Sequence, residues 1–124
     1  MVPMLMPAWI AAGAFLAAVA IAAGAFGAHG LADRLEPRAL ELWETAARYL
    51  IYAAFGLIAV GLAGDRLGRG AVVAGGSLAA GAVIFSGTMA ALALGAPSWL
   101  GAITPIGGLL LIAGFLALAW SVLR

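Results

Sequence analysis

The stretch Gly24-Ala25-Phe26-Gly27-Ala28-His29-Gly30-Leu31 decides the fold. It closes an apolar run of 21 residues, Ala8 to Ala28, contains the only histidine, and opens the largest polar segment of the chain. At a rise of about 1.5 Å per residue such a run crosses about 30 Å of hydrocarbon, so the spacing predicts a membrane helix that ends here, at the level of the head groups. Capping rules place Gly30 at C′ in the left-handed conformation, with Phe26 at C3 and Leu31 at C″ forming the apolar contact of a Schellman cap. His29 then falls at the Ccap, where the helix dipole favours positive charge. Two readings of His29 follow: a cap residue at the interface, or a histidine that handles a proton or holds a ligand at the membrane boundary.

Composition fits the same solvent. The 124 residues are 66% hydrophobic and 9% charged, against roughly 25% charged in soluble domains. Net charge is +1 and every basic residue is arginine, which gives neither a nucleic-acid patch nor an acidic tail. Without cysteine, disulfides and thiolate metal sites are excluded, and a single histidine makes no transition-metal site; no cofactor is expected. The first apolar run lacks a positive n-region and exceeds the 7–15 apolar residues of a secretory signal, so it is read as a retained span.

Four spans are predicted, at 7–29, 45–64, 71–94 and 105–123, with an amphipathic interfacial helix at 37–48 that runs on into span two. Pro7 suits the first turn of span one and Trp9 its interface. Gly13, Ala17, Ala20, Gly24 and Gly27 form a small-residue stripe that permits close helix approach. From Pro37 onward, Ala39, Leu42, Trp43, Ala46, Ala47 and Leu50 follow the helical period, while Arg38, Glu41, Thr45 and Arg48 face away. Glu44 and Arg48 are spaced for an i, i+4 ion pair, and Arg48 is expected to snorkel to the head groups. Gly64 to Gly70 is a short polar turn. Span three places Gly81 and Gly87 in expected helix contacts. Thr104 is read as the N-cap of span four and Pro105 as its N1 residue, with Gly107 and Gly108 leaving that helix N-terminus open to a ligand.

Alternating crossings put Trp9 and Trp120 at one interface and Trp43 and Trp99 at the other. They place both termini on one side, read as the cytoplasm from Arg66, Arg69 and Arg124. They also bring His29, Trp43, Glu44, Arg48, Thr104, Gly107 and Gly108 to one face, the candidate surface for a lipid head group or a partner.

The motifs Gly24–Leu31, Trp43-Glu-Thr-Ala46 with Tyr49 and Tyr52, Phe85-Ser-Gly87, and Leu100-Gly-Ala-Ile-Thr-Pro-Ile-Gly-Gly108 resemble the domain-of-unknown-function 423 family. The resemblance implies a four-span bacterial inner-membrane protein whose biochemical role is unassigned, and it brings no catalytic residue. Ala53 stands where family members often show a histidine after the second tyrosine, so a two-histidine mechanism is not open to this chain.

The reading is therefore an all-α integral membrane four-helix bundle, whose partners are the bilayer and either further copies of itself or a larger membrane complex. A packing or accessory role stands first. Transport of a small solute or proton is the alternative. Enzymatic acid–base chemistry would have to draw on His29 with Glu36, Glu41 or Glu44, which no spacing aligns.

Overall fold

The computed structural model describes residues 2–124, with side chains from Met6 onward. Helix α1 runs from Val2 to Phe26 and continues through a π-helical turn, Gly27–Leu31. Helix α2 is Pro37–Ala63, followed by a 3₁₀ turn, Gly64–Leu67; α3 is Gly70–Ala93; a second 3₁₀ turn, Ser98–Ala102, leads into α4, Thr104–Leu123. Four helical stretches are long and apolar enough to cross a membrane: Met6–Leu31, Pro37–Leu67, Gly70–Ala93 and Ser98–Leu123. The chain is an all-α, four-span membrane protein.

The helices pack in sequence order, α1 on α2, α2 on α3 and α3 on α4. The core lies mainly between the central pair. Ala53, Leu57 and Val60 of α2 recur at helical spacing and meet Ala71, Ala74, Leu78 and Ala82 of α3, with Leu67 and Leu111 closing the ends. Of the α1 span only 17% is buried within the chain, against 44% for α2 and for α3. In lipid no hydrophobic force draws helices together, so association depends on close approach and on hydrogen bonds between helices.

Glycine supplies the approach at two interfaces. A β-carbon at Gly81 would stand 2.8 Å from the Leu111 nitrogen and 2.9 Å from the Gly107 oxygen, so α3 and α4 touch backbone to backbone. At Gly13 it would stand 2.6 Å from the Ala54 oxygen, which locks α1 to α2. Most of the predicted stripe on α1 is used this way: Gly13, Ala20 and Gly27 are buried. Gly24 is not, since a β-carbon there meets nothing within 4 Å. Gly87 is equally open and lies outside the helix contacts, contrary to expectation.

Several terminal assignments are corrected. Gly30 has no left-handed backbone; positive φ occurs at Gly64, Gly68 and Gly95. The Schellman cap of Phe26, Gly30 and Leu31 does not form, because the helix does not stop at Gly30 but widens into the π turn and leaves it after Leu31, whose carbonyl accepts from the N–H groups of Arg34 and Leu35 at 2.9 Å. Pro7 lies inside α1, because the helix begins at Val2. Thr104 is the first residue of α4 and not its side-chain cap. The 37–48 segment, by contrast, runs on into span two as read from the sequence, and forms the first part of α2. At 27 residues that helix is about 40 Å long, more than the hydrocarbon requires, so its charged beginning projects into the head-group region.

Candidate functional site

The hydrogen-bonding side chains of the spans gather at the end of the molecule that holds the π turn and the second 3₁₀ turn, and each joins elements of the chain. The Trp43 indole N–H donates to the Ala23 carbonyl at 2.8 Å, tying α2 to α1. A regular α-helix pairs that carbonyl with the Gly27 N–H, and it is at Gly27 that the winding widens. The Trp43 ring covers Gly27, where a β-carbon would come within 2.7 Å of it, and meets Phe26 edge-on at 6.2 Å between centroids. π-helical turns of this kind arise where an outside group enters the hydrogen-bond ladder.

One helix along, the buried Ser86 hydroxyl donates to the Ala46 carbonyl at 2.8 Å and joins α3 to α2. The Thr88 and Thr104 hydroxyls lie 2.6 Å apart and join α3 to α4, and each also has a carbonyl within reach back along the chain, Ile84 O at 2.7 Å from Thr88 and Leu100 O at 3.1 Å from Thr104. With one hydrogen per hydroxyl, the two threonines must share these bonds: one donates across the helices while the other donates back.

The residues expected to form one face thus divide into three groups. Trp43, Thr104 and Gly107 are helix-packing residues; Gly107 receives the Phe85 backbone of α3 against its bare Cα, so the start of α4 is closed to a ligand there. Gly108 opens instead on a groove of about 420 Å³ between α2 and α4, lined by Tyr49, Tyr52, Phe85, Ile112 and Phe115. Tyr49 packs on Phe85 at 4.8 Å and on Tyr52 at 5.2 Å, so the groove is walled by aromatic and aliphatic side chains and carries no charged group. Glu44 and Arg48 belong to a third place, a separate groove between α2 and α1, against Ile21 and Gly24 of α1.

The Glu44–Arg48 ion pair is not formed. Among the described residues the ion pair is Arg38–Glu41, at 2.7 Å and with both side chains mostly exposed. An exposed i, i+4 pair contributes only about 0.3–0.5 kcal/mol, too little to fix two long side chains. His29 is exposed on the π turn, and no hydrogen bond or ion pair joins its side chain to another described residue. Trp9, expected at the interface, turns inward: its ring lies on Gly75 of α3 and its indole nitrogen is buried without a partner among the described residues. The role of Ser86 is not predicted from the sequence, because a lone serine in an apolar span carries no signal of the carbonyl it will meet.

Four antiparallel apolar helices bound through glycine contacts and short polar links define a small polytopic membrane protein. The profile of the family described as "Protein of unknown function (DUF423)" matches residues 23–108. The chain is 43% identical to a UPF0382 membrane protein of Staphylococcus epidermidis over 119 residues, covering 96% of this chain and 98% of the relative. It is 39% identical to the UPF0382 membrane protein YwdK of Bacillus subtilis over 121 residues, with 96% and 98% covered. The chain belongs to the DUF423 family. No solved structure matches it.

Proposed function

We propose that the chain is a non-enzymatic packing subunit of the bacterial inner membrane, which associates with further copies of itself and has both termini in the cytoplasm. One observation carries the reading: Trp43, Ser86, Thr88 and Thr104, inside the spans, spend their hydrogen bonds on joining the chain's own elements, while most of the α1 span has no partner within the chain. Phe15 and Ile21 on that helix are 67% and 65% exposed.

The cytoplasmic assignment is supported by Arg66, Arg69 and Arg124, which share the end of the molecule with both termini; Arg69, Trp120 and Arg124 border one groove there. A head-group site at Arg48 has less support, because Glu44 beside it opposes an anion. The test is purification of the tagged protein in mild detergent, with identification of co-purifying proteins and lipids. The expected result is one oligomer of this chain with bulk lipid. A stoichiometric enzyme complex or a selectively retained small solute would replace the reading.

A further inference from the structure

We propose that two copies of this chain pair through the α1–α2 face, with Glu44 of each copy meeting Arg48 of the other. The inference rests on the self-association proposed above and names its surface.

Glu44 and Arg48 are both exposed, lie one helical turn apart, and line a single groove with Ile21 and Gly24, about 310 Å³ in volume. Neither has an ion-pair partner among the described residues. They lie on the exposed, charged beginning of α2, at the head-group end of the span, where neither charge has a counterion from its own chain. An anionic head group would satisfy Arg48 and be repelled by Glu44, and a cationic group would do the reverse. A surface carrying the same two charges, turned by a two-fold axis, satisfies both at once. This is the self-complementarity of an isologous interface.

Depth is consistent with such a pair. A two-fold axis along the membrane normal keeps every residue at its own level. Glu44 and Arg48 differ by four residues, about 6 Å along the helix, a distance the arginine side chain spans.

Below the charges the surface allows close approach. Ala14, Ala17, Ile21, Gly24 and Ala28 follow one another at spacings of three and four along α1. Ile21, at 65% exposure, is the only large side chain in the row, and a β-carbon at Gly24 meets nothing within 4 Å. A protruding isoleucine beside an empty glycine position is the knob and recess that a second copy completes.

The experiment uses oxidative cross-linking in native membrane vesicles, which the absence of cysteine makes clean. Gly24→Cys is expected to give a disulfide-linked dimer, and Leu109→Cys, on the outward face of α4, is not. In the Gly24→Cys background, Glu44→Arg alone or Arg48→Glu alone should reduce the dimer by more than about tenfold, since like charges then face each other. Co-expressing the two variants under different tags should restore the mixed dimer, which also shows that each still folds. An intramolecular Glu44–Arg48 bond could not be restored in this way. Unchanged cross-linking in the single charge variants, or no restoration on co-expression, overturns the proposal. Cross-linking at Leu109 instead of Gly24 overturns this face while self-association stands; no cross-link with a monomeric mass overturns both.

Discussion

Gly81 and Gly87 are six residues apart on α3, and the helical period puts them about 120° apart around the helix. Gly81 receives α4 and Gly87 does not. Gly107 is the opposite member of the same contact, with the Phe85 backbone resting on it. Gly107→Ala is therefore expected to destabilise the protein by an overpacking cost of about 1–3 kcal/mol, because backbone cannot move aside as a side-chain tip can. Gly87→Ala, which enters open space, should change thermal stability in detergent very little. Equal losses at both positions would refute the assignment of the α3–α4 contact. The sequence shows that this chain is rich in small residues, and Gly27 and Gly81 are legible as packing positions. It does not show which glycines on a helix without a polar side meet a neighbour, because an all-apolar helix has no polarity contrast to mark its buried face.

At the scale of the element, the end of α1 follows the same logic. Gly24 to Leu31 has the residues of a left-handed cap, yet the backbone takes a π turn instead. The indole that binds the Ala23 carbonyl comes from Trp43, 20 residues further on, and local capping rules contain no information about it. Trp43→Phe keeps the ring over Gly27 and removes the donor. The expected outcome is a loss of roughly 0.5–1.5 kcal/mol and faster amide exchange through Gly27–Leu31, while α3 and α4 keep their protection. Unaltered exchange in that turn would mean that the indole bond does not hold the π winding. Gly30→Ala is expected to be tolerated better than a residue in a left-handed turn, because its neighbour is the Phe26 ring, which is 54% exposed and free to shift. By contrast, the four helices themselves were legible, since apolar length alone distinguishes a span from a connection.

For the whole molecule, the order of packing places both termini and the Gly64–Leu67 turn at one end and the π turn and the second 3₁₀ turn at the other. Single cysteines at Ala32 and Ser98 should therefore respond alike to an impermeant label, and opposite to one at Arg66. Arg66 is a better site than Gly68, whose φ of +54° disfavours any side chain. Labelling of Ser98 and Arg66 from the same side would contradict the four-span topology. This topology leaves most of the α1 span uncovered within the chain, and copies of the chain are proposed to associate over it. The most direct test is the mass of the protein released from native-lipid nanodiscs by native mass spectrometry. The expected mass is that of a dimer, or a higher even multiple of the 12.3 kDa chain; a species at 12.3 kDa alone, at concentrations found in the membrane, would rule out the association.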